Sequence, residues 1–271
     1  MTIKLIATDL NGTLLHQDQS FDCVRFQRVL AELQALDVSL VLSSGNQYAH
    51  LQQLFKTVMA DNLIMVAENG ASIYAQDQLI FDGSLSAEQQ RQFVTVDRQQ
   101  SLFQQAYVIL VGSQGSYTET GAPAKLVAMA RQFYDNLELV DDLAQVTDSI
   151  KKISISTQPE HAATLVEQAN AYFDGRLQAH DSGYGVVDLV DRHVGKRPAI
   201  QFLATKMGLT ADNVMAFGDG ANDVPLLRYA THSYAMCNAE PEIQAAAQHV
   251  TALDNEHDGV LATIEAVVLG H

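Results

Sequence analysis

A short, mostly apolar run near the start of the chain, Lys4–Thr8, is followed directly by Asp9 and, three residues later, by Gly12. Such a run is typical of a strand that is buried on both faces of a parallel sheet, and the glycine supplies a tight turn after it. Ligands bind beyond the carboxyl ends of strands in open α/β sheets, so Asp9 is a candidate for chemistry. Taken alone, the pattern also fits a solvated turn aspartate.

The same pattern, a buried strand followed by small polar residues, recurs along the chain. Apolar residues at helical spacing separate the first strand from the next. Alternating strands and helices predict an α/β fold with a Rossmann-like, doubly wound parallel sheet in two halves, residues 1–83 and 188–271. Further predicted strands are Val38–Leu42, Leu63–Val66 and Asn213–Phe217, and the polar segments after them are Ser43–Asn46, Glu68–Gly70 and Gly218–Asp223. Glu68–Gly70 could contact the domain inserted between the two halves or make the turn before a predicted hairpin, and the turn is the favoured interpretation.

Residues 84–187 differ from the two halves of the sheet. The strand-like runs Tyr107–Val111 and Lys152–Ser156 alternate with helical stretches. This arrangement predicts a compact α+β domain inserted into the core. Lys151 and Lys152 could reach a phosphate or a sugar, but a solvated pair is the favoured interpretation. Tyr184, which two glycines flank, is a candidate for substrate contact.

Charge and cysteine content limit the partners of the chain. The 271 residues carry a formal net charge of -16, which repels nucleic acid and anionic membrane surfaces. Cys23 and Cys237 are too few for a disulfide framework. The N-terminus enters a strand directly, and no apolar run approaches the roughly 18 residues of a membrane span. We therefore expect a cytoplasmic protein with a small-molecule partner, and both a monomer and a homodimer stay open.

The polar residues after the strands predict a single site. Asp9, Ser44, Asp219 and Asp223 lie at strand ends of the same sheet, and Lys196 precedes a helix that leads toward the same edge. Carboxylates this close repel one another unless a cation lies among them. Mg²⁺ is the natural cation, because it prefers hard oxygen ligands and bridges to phosphate. The lysine charge and the serine hydroxyl complete a pocket for a phosphoryl group, which also explains how so acidic a chain could bind an anion.

Four motifs in this order resemble the haloacid dehalogenase superfamily, and within it the Cof-type sugar-phosphate phosphatases with a type C2B cap. The motifs are Asp9–Leu15, Ser44-Gly45-Asn46, Lys196 and Gly218–Asp223. The resemblance covers the core nearly from end to end. It implies a Mg²⁺-dependent phosphatase whose cap is the insert at residues 84–187.

The resemblance also implies a role for each residue of the motifs. Asp9 would be the nucleophile, forming an aspartyl-phosphate intermediate, with its other oxygen on Mg²⁺. Asp219 would be the second carboxylate ligand, and the backbone carbonyl of Asn11 the third protein ligand. Asp223 would hold metal-bound water or bind the ion directly.

The remaining residues would hold the substrate. Ser44 and Lys196 would bind the transferring phosphoryl oxygens, and Lys196 would also offset the charge of Asp9. Gly45 and Asn46 belong to the same substrate-binding loop. Asn222 would orient the loop that carries Asp219.

This chain departs from the family pattern at two positions. Asn46 stands where many Cof-type members have an arginine, and Asn11 stands where the family has a second aspartate as general acid and base. An amide cannot exchange a proton, and loss of such a group costs roughly 10² to 10⁴ in rate. Asn11 is either an introduced exchange, which is nearly isosteric and keeps the backbone ligand, or native in a member with weakened or altered activity. We favour the introduced exchange.

Three functions remain open from the sequence. The first is hydrolysis of small phosphorylated metabolites by a phosphatase that Asn11 weakens. The second is a phosphotransferase or phosphomutase, in which a sugar hydroxyl takes the phosphoryl group. The third, suggested by Asn11 alone, is a non-catalytic module that binds phosphometabolites.

Overall fold

The computed structural model describes residues 2–58, 60–99, 106–134, 136–173, 175–183 and 185–271. The chain divides into two compact units, Met1–Asp82 with Gly195–His271 and, between them, Gly83–Val194. The sequence predicts that the chain returns to the core at residue 188, whereas in the structure the first unit resumes seven residues later, at Gly195. The last strand of the insert, Val186–Asp191, pairs with two other strands of the second unit and so belongs to it. Tyr184 lies outside the described residues.

The strands and helices follow one another along the chain in both units. The strands are β1 (Leu5–Thr8), β2 (Ser39–Ser43), β3 (Leu63–Ala67), β4 (Ser72–Ala75), β5 (Gln78–Asp82), β6 (Tyr107–Gly112), β7 (Ser116–Glu119), β8 (Leu137–Val140), β9 (Ile150–Ser156), β10 (Leu177–Asp181), β11 (Val186–Asp191), β12 (Val214–Gly218), β13 (His232–Ala235) and β14 (His249–Val250). The helices are α1 (Cys23–Ala35), α2 (Tyr48–Phe55), α3 (Ala87–Gln99), α4 (Ala124–Ala130), α5 (Pro159–Phe173), α6 (Lys196–Lys206), α7 (Val224–Tyr229), α8 (Pro241–Gln244) and α9 (Gly259–Ile264).

The first unit is built on an eight-stranded sheet in the order β14-β13-β12-β1-β2-β3-β4-β5. Its strands from β14 to β3 are parallel, and β4 and β5 add an antiparallel edge. After β1 the chain builds β2 and β3 on one side and later returns to build β12 and β13 on the other. This confirms the predicted doubly wound α/β fold, and it makes the β1–β12 edge the switch point where such sheets bind ligands.

Both faces of this sheet are covered, which explains its continuous apolar strands. Ile6, Met215 and Phe217 pack on one face with residues of α1 and α9. Leu5 and Ala216, which alternate with them, pack on the other face with residues of α6 and α7. Successive side chains of a strand point to opposite faces, so a parallel strand between two helical layers must be apolar at nearly every position.

The second unit is α+β, as the composition of the insert predicts. Its six-stranded sheet runs β10-β11-β9-β6-β7-β8, and each pair is antiparallel except β7 with β8. Apolar residues of α3 and α5 cover one face, and α4 covers part of the other.

The interpretation of Lys151 and Lys152 as a solvated pair is wrong, because both are buried in β9. Lys152 Nζ donates to Asp188 Oδ2 at 2.8 Å, and Asp188 also accepts from the hydroxyl of Ser154. A buried cation needs a partner of opposite charge. Here the partner comes from β11, which is distant in sequence.

Within the described part of the chain, no helix has the length and apolar character needed to cross a membrane.

Candidate active site

The β1 loop, Asp9–Leu15, begins where β1 ends beside β12. The amide of Asp9 donates to the carbonyl of Phe217 in β12 at 3.1 Å, which continues the parallel pairing by one residue. The chain then folds back, and the amide of Leu15 donates to the carbonyl of Leu10 at 2.8 Å. Leu10 and Leu15 are both buried and anchor the loop in the core. Asp9 is thereby held at the switch point, whereas Asn11 is exposed.

Gly12 allows the β1 loop to approach Asp219 closely. It has a left-handed backbone with φ of 75°, and a Cβ at this position would overlap the carboxylate of Asp219. The hydroxyl of Thr13 donates to Asp219 Oδ1 at 2.6 Å, and Asn238 Nδ2 donates to the carbonyl of Gly12 at 2.8 Å. The sequence DxNGT therefore has a physical basis at both its glycine and its threonine.

Lys196, the first residue of α6, bridges two carboxylates. Its ammonium group donates to Asp9 Oδ1 and, at 2.6 Å, to Asp223 Oδ1. The other oxygen of Asp223 accepts from the amides of Asp219 and Gly220 at 3.1 and 3.0 Å. Asp223 therefore orders the β12 loop, Asp219–Asp223, and fixes the position of the lysine at the same time.

Burial and mutual repulsion control the charge of this cluster. Burial raises the pKa of Asp9, Asp223 and Asp219 raise it further, and the nearby cation of Lys196 opposes them. Burial likewise raises the pKa of Asp219. Although burial disfavours its charged form, Lys196 keeps a raised pKa because Asp223 and Asp9 surround its ammonium group. Three carboxylates and one lysine leave an excess of negative charge that a divalent cation would neutralise.

The donor set fits such a cation. Asp9, Asp219 and Asp223 each offer an oxygen, and these atoms lie within 4.8 Å of one another. Hard oxygen ligands of this kind suit Mg²⁺. Both oxygens of Asp223 already accept hydrogen bonds, whereas the described residues give no hydrogen bond to Asp9 Oδ2 or Asp219 Oδ2. Asp9 Oδ2 and Asp219 Oδ2 are thus better placed to bind a cation than the oxygens of Asp223. Asp223 is better suited to holding Lys196 and the β12 loop in place.

The β2 loop, Ser44–Asn46, follows the strand next to β1. The amide of Asn46 donates to Ser44 Oγ at 3.1 Å, so the hydroxyl already orders the loop. Gly45 lies against the side chain of Asn69, and Asn222 Nδ2 donates to Asn69 Oδ1 at 3.4 Å. The predicted substrate-binding residues Gly45 and Asn222 are therefore joined through a residue of the segment after β3.

Comparison with known proteins identifies the family of this chain. The profile of the haloacid dehalogenase-like hydrolases matches residues 6–264. The chain belongs to this family. Its sequence motifs together with this profile make it a Cof-type member of the haloacid dehalogenase superfamily, as the sequence predicts.

Several relatives of this haloacid dehalogenase-like chain match it over nearly its whole length. It is 30% identical to the 5-amino-6-(5-phospho-D-ribitylamino)uracil phosphatase YbjI of Escherichia coli, over 99% of this chain and 97% of the relative. It is 26% identical to a phosphoglycolate phosphatase of Halobacterium salinarum, over 97% and 96% of the two chains. The crystal structure of SMU.1108c from Streptococcus mutans has 32% identity and a TM-score of 0.91, and the match covers 99% of this chain and 100% of that one.

The sequence missed one participant of this site and left another in a minor role. Asn69 was interpreted as part of a simple turn, yet it contacts both Gly45 and Asn222. The available signal was its place at the carboxyl end of β3, at the same sheet edge as the other candidates. For Thr13 the sequence indicates only support of the loop geometry, whereas its hydroxyl donates to Asp219, a contact that follows from its place directly after Gly12.

Proposed function

We propose that this chain is a Mg²⁺-dependent phosphatase that hydrolyses small phosphorylated metabolites, foremost sugar phosphates, through an aspartyl-phosphate on Asp9. The observation that carries the proposal is the contact of Lys196 with both Asp9 and Asp223, next to the third carboxylate of Asp219. A carboxylate nucleophile beside a fixed cation and an oxygen-rich metal site is what phosphoryl transfer requires. The family and the phosphatase names of its relatives support the same reaction.

The residues have separate tasks in this reaction. An oxygen of Asp9 attacks phosphorus, and the ester bond breaks with its electron pair going to the leaving oxygen. Water then attacks the phosphorus of the aspartyl-phosphate, which restores the carboxylate and releases inorganic phosphate. Lys196 opposes the rise in the pKa of Asp9 and, with Ser44, binds phosphoryl oxygens.

A divalent cation bound by Asp9, Asp219 and the carbonyl of Asn11 would neutralise the charge of the phosphoryl oxygens. Asp223 contributes by holding Lys196 and the β12 loop in place. Asn222 and Asn46 belong to the β12 and β2 loops, and their side-chain amides would suit the oxygens of a phosphate ester.

Asn11 determines how fast the reaction proceeds. The leaving alkoxide of a sugar phosphate needs a proton, and an amide cannot supply one. The proposed enzyme therefore binds phosphate esters and turns them over slowly. Either a native Asn11 or an introduced exchange at this position is compatible with that proposal.

The test is a phosphate-release screen with Mg²⁺ against sugar phosphates, nucleotides, pyridoxal phosphate and flavin mononucleotide, which carries a phosphorylated ribityl chain. We expect slow release from a subset of these esters and none from Asp9→Ala. Full activity of Asp9→Ala would show that Asp9 is not the nucleophile. Phosphorylated sugar product in place of free phosphate would favour the phosphotransferase or mutase, and tight binding without turnover, even in Asn11→Asp, would favour a binding module.

A further inference from the structure

The segment after β3, which we name the β3 corner (Glu68–Gly70), has an unusual backbone. Glu68 and Asn69 both adopt left-handed conformations, with φ of 50° and 57°, and both are buried. Residues other than glycine rarely adopt this backbone conformation, and among them Asn adopts it most readily. Gln76 and Asp77 are also consecutive left-handed residues, but they are exposed in the turn between β4 and β5. Glu68 and Asn69 are buried, so their contacts indicate the role of this corner.

The corner holds the β2 loop from the side of β3. The amide of Asn69 donates to the carbonyl of Ser44 at 2.9 Å, and the amide of Glu68 donates to the carbonyl of Asn46 at 2.9 Å. The two acceptor carbonyls belong to the residues on either side of Gly45.

The side chains of the corner extend the contact in two directions. Glu68 Oε1 accepts from the amide of Tyr48, the first residue of α2, at 2.8 Å. Asn69 Oδ1 accepts from Asn222 Nδ2 of the β12 loop at 3.4 Å. The corner therefore joins the β2 loop to the β12 loop, which comes from the opposite side of the switch point.

The last residue of the corner contacts the start of α6. Gly70 has φ of 100°, and a Cβ there would lie 2.5 Å from the carbonyl oxygen of Gly195. Gly195 immediately precedes Lys196. A single corner thus touches the β2 loop, the β12 loop and the residue that leads into the bridging lysine.

We propose that the β3 corner is a positioning element that keeps the β2 loop, the β12 loop and the start of α6 aligned around the phosphoryl site. This inference rests on the proposed function. Asn69 acts through Ser44 and Asn222, so it is a positioning residue. A buried, hydrogen-bonded corner suits the task because misplacing reacting groups by about 1 Å can cost on the order of 10² in rate.

The test uses Asn69→Gly in the full chain, because glycine keeps the left-handed backbone and removes only the side chain. Gln76→Gly is the matched control: Gln76 is also left-handed, with φ of 50°, but it is exposed in the turn between β4 and β5. The first measurement is amide hydrogen exchange. We expect roughly tenfold faster exchange at residues 44–48 and 219–223 in Asn69→Gly, and unchanged exchange there in Gln76→Gly.

The second measurement is the inhibition or dissociation constant of inorganic phosphate with Mg²⁺, together with kcat and KM for a reactive phosphate ester. A purely structural role lowers the folded fraction and hence the apparent kcat, but it leaves KM and the phosphate constant unchanged. Misaligned loops instead weaken phosphate binding, by about tenfold if one hydrogen bond is lost. A smaller loss in Asn69→Gly/Asn222→Ala than the sum of the single losses would show that Asn69 acts through Asn222.

Equal exchange rates and equal phosphate constants in Asn69→Gly and Gln76→Gly would overturn the inference. Absence of any phosphate binding or hydrolysis by the unchanged chain would instead overturn the proposed function. In that case the exchange measurement still decides whether the β3 corner aligns the two loops.

Discussion

Lys196 Nζ donates a hydrogen bond to Asp223 Oδ1 at 2.6 Å, and each of the two side chains is only 1% exposed. This pair connects the start of α6 to the loop after β12. The same ammonium group contacts Asp9 after β1. One lysine therefore joins three segments of the chain, and its charge contributes to stability as well as to chemistry.

The first prediction concerns the removal of that charge. In Lys196→Met, Asp9 and Asp223 remain buried without their cation, and breaking a buried ion pair by deleting one partner costs about 3 to 5 kcal/mol. We expect a loss of this size in the free energy of unfolding, measured by urea denaturation with a chelator present. Lys206→Met is the control, because Lys206 is exposed at the other end of α6. A Lys196→Met protein as stable as Lys206→Met would show that the bridge contributes nothing.

The second prediction separates backbone strain from close packing at Gly12. Gly12 and Gly208 have similar left-handed backbones, with φ of 75° and 69°, but only Gly12 packs against a carboxylate. Alanine in this conformation costs roughly 1 to 2 kcal/mol at either position. Gly12→Ala must in addition displace Asp219. We expect Mg²⁺ to raise the melting temperature of the unchanged chain and of Gly208→Ala, and to have little effect on Gly12→Ala. An equal Mg²⁺ effect in both variants would contradict this account of Gly12.

The sequence predicts the parts of this structure that depend on local pattern. Buried parallel strands are recognisable because each is apolar on both faces, and Asp9 and Asp219 are recognisable because each follows one directly. The two-residue strand β14 (His249–Val250) was missed because it is exposed and too short to show a pattern.

Long-range contacts are the part that sequence reasoning missed. Burial of Lys152 depends on Asp188, which lies 36 residues further along the chain. The role of Asn69 depends on a left-handed backbone and on partners in two other loops. Neither the burial of Lys152 nor the role of Asn69 can be inferred from the residues that neighbour it in the sequence.

The third prediction uses the buried carboxylate of Glu265 at the C-terminal end of the chain. Glu265 accepts from Arg25 Nη2 and Arg28 Nη2 at 2.5 Å each. The hydrogen bond from Arg25, together with Arg28, lowers the pKa of Glu265 below its ordinary value of 4.5. A carboxyl group with a lowered folded-state pKa contributes stability above its unfolded pKa and loses it as pH falls through the folded value.

The stability of the unchanged chain should therefore fall more steeply below about pH 4.5 than that of Glu265→Gln. At pH 7 the variant should be less stable by about 1 to 3 kcal/mol, because it replaces charge-assisted hydrogen bonds with neutral ones. Urea denaturation across pH 3 to 7 measures both effects. Glu240→Gln, a change at an exposed position, is the control. Parallel pH profiles for the unchanged chain and Glu265→Gln would contradict the prediction.

The fourth prediction concerns Asn11, which is exposed at the edge of the β1 loop. Asn11→Asp restores a group that can give a proton to the leaving oxygen and take one from water, and such groups contribute about 10² to 10⁴ in rate. The gain should be largest for an alkyl phosphate, whose alkoxide needs the proton. It should be smaller for p-nitrophenyl phosphate, whose leaving group is stable as an anion.

Steady-state phosphate release with both esters measures this difference. Asn11→Ala is the control, since it changes the side chain without adding an acid, and we expect no gain from it. If Asn11→Asp accelerated both esters equally, the aspartate would act by charge or by loop geometry and not by proton transfer. If it accelerated neither, the slow step of this chain would lie elsewhere than at residue 11.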